Sequence, residues 1–249
     1  MTIESPIVFD YSRVKIIPGW TNFYELSLLG IAAKLSPAKS SLVEFGSFCG
    51  RNSTVMANNL NEDCDLFCVD LWNSTDRYPL DKLVFNSQDF DQKLLSQTFE
   101  QVAERKTWEI VWRRFVPQLH SVKRCPMDSF DFDIPSNTSL IFIDDFGLKS
   151  NLEKYLSKIE DLDECLVILH LRDHREFAFN LLNTRFGGYS AQRNFYYPVN
   201  TDMFVLSPKQ GHWSKLFSFL VLRYCNRLLY MQTLEEKEKF YEEQLQEQN

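Results

Sequence analysis

The residues with the clearest capacity for chemistry lie in one short string, Leu42-Val43-Glu44-Phe45-Gly46-Ser47-Phe48-Cys49-Gly50-Arg51-Asn52-Ser53-Thr54. An apolar run that meets a glycine is the pattern of a buried strand turning sharply, because glycine lets the main chain bend and approach a ligand. The polar residues that follow open a helix, whose unpaired N–H groups suit a carboxylate or a phosphate. The glycines are spaced Gly-x-x-x-Gly, with bulky Phe48 and Cys49 where a dinucleotide fingerprint needs glycines for close approach. Pyrophosphate binding is therefore disfavoured. Asp70 follows Gly46 by 24 residues, at the end of the next apolar run, where an acid can accept both hydroxyls of a ribose. Together these features point to an adenosine-bearing ligand.

Further acids end other apolar runs. Ile141-Phe142-Ile143-Asp144-Asp145 closes on two carboxylates, and Leu169-His170-Leu171-Arg172-Asp173 on a histidine and an acid. Asp144, Asp145 and His170 are the candidates for a general base, since each sits where open α/β sheets bind ligands. Simpler roles compete with these, such as a carboxylate paired with a neighbouring cation or a histidine satisfied at a strand end. Asp128 in Cys125-Pro126-Met127-Asp128-Ser129 is equally suited to hydrogen-bonding its own turn.

The elements that must position these residues follow from periodicity. Residues 1–20 read as an irregular lead-in with a short strand near Ile7 to Phe9. A helix follows, with Asn22 and Glu25 as a capping pair and Tyr24, Leu28, Ile31 and Leu35 along one face, until Pro37 stops it. Strands are expected at 41–45, 66–69, 122–125, 139–143 and 165–171, with helices after the glycine turn, over 89–105 and 108–115, after 152 and after 177. Strands near 194–197 and 203–206 finish the sheet with an antiparallel edge. The expected fold is α/β, a doubly wound, Rossmann-like sheet of seven strands, mostly parallel, in a domain over residues 21–208. Residues 209–249 form a helical C-terminal extension whose seam suits a homodimeric coiled coil as well as docking on its own domain.

Composition narrows the function classes. Hydrophobic residues make up 44% of the 249, enough for a core covered on two faces. The formal charge of -7 comes without a basic stripe, so nucleic acid is not an expected partner. No apolar run is long enough to span a membrane, and no signal-peptide core opens the chain. The six cysteines form no Cys-x-x-Cys pair, which fits a reduced, cytoplasmic setting.

The string at Glu44 resembles the first motif of the class I S-adenosylmethionine-dependent methyltransferases, especially the small-molecule branch with Val-Glu-x-Gly-Ser-x-x-Gly-x-Ser/Thr. The segments Asp70-Leu71-Trp72-Asn73-Ser74-Thr75-Asp76 and Pro126-Met127-Asp128-Ser129 are similar to its ribose and adenine motifs. The resemblance implies that S-adenosylmethionine lies against Glu44, Gly46, Ser47, Phe48, Gly50, Ser53, Asp70, Leu71, Trp72, Asp128, Ser129 and Asp144. It implies methyl transfer to an oxygen or nitrogen of a small-molecule acceptor. The fourth-strand motif departs from the family's Ile-Asp-Gly-Asp-His, and the Gly-Gly before the fifth strand is replaced by Asp163-Glu164. A magnesium ion on Asp144 and Asp173, used by some relatives, is disfavoured. Two rivals stand beside this reading: a noncatalytic cofactor-binding or scaffold protein, and a nicotinamide-dependent oxidoreductase.

Overall fold

The computed structural model describes residues 9, 11–61, 63–72, 105–144, 148–171, 175–186, 193–198 and 201–214. In chain order the elements are α1 (Tyr11–Val14), α2 (Phe23–Leu35), β1 (Ser41–Phe45), α3 (Arg51–Asn58), β2 (Asp65–Asp70), α4 (Arg105–Phe115), β3 (Val122–Pro126), β4 (Thr138–Ile143), α5 (Leu148–Lys158), β5 (Leu166–His170), α6 (Arg175–Phe186), β6 (Arg193–Tyr196) and β7 (Met203–Pro208). The expected helix over 89–105 and the extension beyond 214 lie outside the described residues.

The seven strands make one sheet in the order β3-β2-β1-β4-β5-β7-β6. β1 pairs in parallel with both β2 and β4, so the winding reverses at its carboxyl end. That reversal opens a crevice where open α/β sheets bind ligands. β7 runs antiparallel to β5 and β6, which gives the sheet its antiparallel edge. Register does the positioning. Phe45 stands opposite Val69 and Ile143, Gly46 N donates to Val69 O at 3.0 Å, and Asp144 N donates to Phe45 O at 2.8 Å. Gly46, Asp70 and Asp144 therefore leave three adjacent strands at one level.

The central strands β1, β4 and β5 are largely apolar and fully buried because both their faces are covered. Leu42, Leu66, Leu140 and Ile168 face one core with Leu28, Met56 and Trp112, while Val43, Phe45, Ile141 and Val167 face a second with Leu152, Tyr155 and Leu182. Asn22 and Glu25 form the expected capping box: the Asn22 side chain accepts from Tyr24 N and Glu25 N, and Glu25 Oε2 accepts from Asn22 N at 2.7 Å. Among the described residues, no helix is long and apolar enough to cross a membrane.

The lead-in differs from the expected irregular segment. It contains α1, and Val14, Ile17, Pro18 and Gly19 are buried against the domain. The cause is a residue more than thirty positions away. Arg51 donates to the carbonyls of Ile17 at 2.8 Å, Thr21 at 2.9 Å and Lys15 at 3.0 Å, strapping the segment to the start of α3.

Gly50 adopts φ +88, and a Cβ there would lie 2.4 Å from Val116 Cγ2 and 2.8 Å from Trp112 Cδ1. Gly50→Ala should combine left-handed strain with overpacking and lower stability by roughly 2–5 kcal/mol. A denaturant midpoint unchanged from wild type would refute this account of the turn.

Candidate functional site

The bend between β1 and α3 is built around a carboxyl with no solvent contact. Glu44 Oε2 accepts hydrogen bonds from Ser47 Oγ at 2.7 Å and from Ser53 Oγ, and Ser53 Oγ in turn accepts from Trp112 Nε1 at 3.1 Å. The other oxygen, Oε1, is buried without a hydrogen bond. Burial pushes the pKa of Glu44 up from 4.5 to about 7, against the lowering influence of the two serine hydroxyls. The next bend residue, Phe48, takes a left-handed conformation with φ 46. Its N–H donates to Asp70 Oδ2 at 2.8 Å, and its carbonyl accepts from Trp72 Nε1 at 2.8 Å.

A cavity of about 290 Å³ opens above this bend, near the lower end of the range for small-molecule pockets. Gly46, Ser47, Phe48, Asp70, Leu71, Asp128, Ser129 and Asp144 line it. Glu44, Gly50, Ser53 and Trp72 do not. They lie behind the bend and shape it: Trp72 is fully buried with its ring 5.3 Å from that of Trp112, and Gly50 makes room for α4. Asp128 Oδ1 also accepts from Phe130 N at 2.8 Å, so it supports its own turn while facing the cavity.

Sequence reasoning missed part of the lining. Pro18, Gly19 and Trp20 of the strapped lead-in form one wall, joined by Arg51, Asn52, Trp108, Phe130 and Asn151. The Phe48 ring sits 4.5 Å from Trp108, edge to face, and 5.0 Å from Trp20. A Pro-Gly-Trp string just before α2 was the available signal, but nothing local ties it to a site.

The two catalytic candidates within the described residues take different positions. Asp144 lines the cavity and His170 does not. Asp144 Oδ2 accepts from Asn52 Nδ2 at 3.1 Å, Asn52 Oδ1 accepts from Thr21 Oγ1 at 2.6 Å, and Asp144 Oδ1 meets His170 Nδ1 at 2.8 Å. The His170 side chain is 1% exposed, with Nε2 at 3.6 Å from Glu25 Oε1. Burial alone would lower its pKa from 6.5, but the carboxylates of Asp144 and Glu25 outweigh that and hold it up at about 10. A buried, protonated imidazole braces Asp144 rather than taking a proton from a ligand. Asp145 and Asp173 lie outside the described residues.

The raised pKa of Glu44 has a direct thermodynamic signature. Between pH 4.5 and about 7 the folded protein keeps a proton at Glu44 that the unfolded chain releases. The associated stability is complete below 4.5 and is lost as the pH rises to about 7, by roughly 3 kcal/mol. Subtracting the unfolding free energy of Glu44→Gln from that of wild type at each pH should reveal this slope. A flat difference across the window would show that Glu44 ionises normally.

No family model matches the sequence, and neither does any curated protein. Solved structures do match. A structural genomics target from Corynebacterium glutamicum superposes on 82% of this chain and 92% of its own, with a TM-score of 0.53 and 10% identity. The O-methyltransferase NovP superposes on 80% of this chain and 88% of its own, with a TM-score of 0.52 and 12% identity. Similarity at so low an identity speaks for architecture alone: this chain shares the fold of these two structures, with its own seven-stranded sheet ordered β3-β2-β1-β4-β5-β7-β6.

Proposed function

We propose that this protein transfers a methyl group from S-adenosylmethionine to an oxygen or nitrogen of a small-molecule acceptor. The observation that carries the reading is the convergence of the Gly46–Phe48 bend with Asp70, Asp128 and Asp144 on a single cavity. The donor set fits the cofactor. Asp70 supplies a carboxylate for the ribose, Asp128 and Ser129 supply polar groups for the adenine, and the bend and Asp144 face the amino-acid part. Carboxylates and aromatic faces both favour a cationic sulfonium. Bound there, S-adenosylmethionine would supply a methyl group already activated by its positive sulfur.

The chain's own task is then to orient an acceptor and take its proton. Asp144 is the proposed base, because it reaches the cavity and is held there by Asn52 and His170. His170 and Asn52 are positioning residues that act through it. The walls contributed by Trp20, Phe48 and Trp108 exclude water and offer flat apolar surface to an acceptor.

Calorimetric titration of the purified protein with S-adenosylhomocysteine and with NAD separates the readings, with binding expected for the first alone. Asp70→Asn keeps an acceptor for Phe48 N–H but loses the charge, and it should weaken S-adenosylhomocysteine by about tenfold or more, the scale of a lost charge-assisted hydrogen bond. Unchanged affinity in a folded variant would remove Asp70 from the site. Tight NAD binding would replace the methyltransferase reading with an oxidoreductase. Binding of S-adenosylhomocysteine without turnover of any acceptor would favour the scaffold.

A further inference from the structure

We propose that Glu25, His170 and Asp202 form a binding site for a divalent transition-metal cation of the zinc class, on the edge of the imidazole that faces away from Asp144. One ligand atom from each residue lies within 4.8 Å of the others. The grouping follows from the fold. His170 ends β5 opposite Met203, the first residue of β7, so Asp202 arrives beside it. Leu171 N then donates to Asp202 O at 2.9 Å, and Asp202 N to Glu25 Oε1 at 2.6 Å, which ties the first turn of α2 to the same point.

A second observation points to a ligand. His170 Nε2 is buried and makes no hydrogen bond. Its nearest acid, Glu25 Oε1 at 3.6 Å, pairs with it by charge but lies beyond hydrogen-bonding reach. Meanwhile Nδ1 is fixed on Asp144 at 2.8 Å. A histidine anchored to a carboxylate through one nitrogen, with the other aimed into a pair of acids, takes the outer-shell arrangement of a metal-bound imidazole once the ion displaces the proton at Nε2.

Charge and donor chemistry agree. Glu25 is 1% exposed and Asp144 19%, with a single imidazole between them. Buried carboxylates in excess of cations are costly, and a divalent ion at Nε2 would offset them. One imidazole nitrogen with carboxylate oxygens suits zinc and its neighbours, whereas magnesium prefers oxygen ligands alone. Bonds of about 2.0–2.2 Å require the three groups to draw together on loading. Asp202 is partly exposed, giving the ion a route from solvent. The site differs from the carboxylate pair considered from the sequence, since it uses α2 and β7 and leaves Asp144 in the outer shell.

The test uses the full chain, stripped with chelator and then titrated with zinc chloride alone, with metal content read by elemental analysis and stability by thermal unfolding. One zinc per chain and a raised unfolding midpoint are expected. Asp202→Asn, at a partly exposed position, and His170→Gln should each remain folded by circular dichroism, and each should weaken zinc affinity by about tenfold or more. A wild-type protein that takes up no stoichiometric zinc would overturn the proposal, as would either folded variant binding zinc as tightly as wild type. Neither result bears on S-adenosylhomocysteine affinity, which is measured separately.

Discussion

Three consecutive residues in the first turn of α3 hold the site together, and they can do so because successive helical side chains point about 100° apart. Arg51 reaches back to the lead-in and takes the carbonyls of Lys15, Ile17 and Thr21. Asn52 turns to Asp144, at the end of β4. Ser53 points down to Glu44 in β1. The wall, the proposed base and the bend are thereby indexed to one short stretch of helix. The direction of that helix is set by Gly50, whose left-handed backbone and missing side chain let α3 start beneath Trp112 and Val116. A shift of α3 would move all three at once.

The bend itself stores strain that its neighbours offset. A non-glycine residue held at positive φ costs on the order of 1–3 kcal/mol, and Phe48 is such a residue. Its ring is packed between Trp20 and Trp108, and its N–H ends on the Asp70 carboxylate. A hydrogen bond to a charged group contributes about 1.5–3 kcal/mol. The carboxylate proposed to hold the ribose is thus also the one that keeps the bend open, so ligand contact and backbone geometry are coupled through a single side chain.

The sequence made much of this fold legible, for reasons visible in particular residues. Doubly covered parallel strands need apolar residues on both faces, so Leu42 to Phe45 and Ile141 to Ile143 announce themselves. The bend is equally plain, because Gly46 follows one apolar run and Asp70 ends the next, at the edge where a doubly wound sheet opens its crevice. Less legible was the division of labour inside the motif. Glu44, Gly50, Ser53 and Trp72 shape the bend from behind it, and spacing alone does not separate a residue that touches a ligand from one that supports its neighbour. The lead-in was opaque for a different reason. Its burial depends on the Arg51 guanidinium, a tertiary partner that no window around residues 14–20 contains.

Glu25 shows how a sufficient local explanation can conceal a distant role. Its place three residues after Asn22 fully accounts for a glutamate there, since Oε2 closes the capping box. The other oxygen accepts from Asp202 N, 177 residues away, and stands 3.6 Å from His170. A helix cap thereby becomes one wall of a buried charged network that ends at the cavity through Asp144. The two uses are compatible because a carboxylate has lone pairs on both oxygens and the first helical turn leaves its N–H groups exposed. The capping box holds Glu25 in place independently of His170, so the acid stands ready at the imidazole without help from the site it serves.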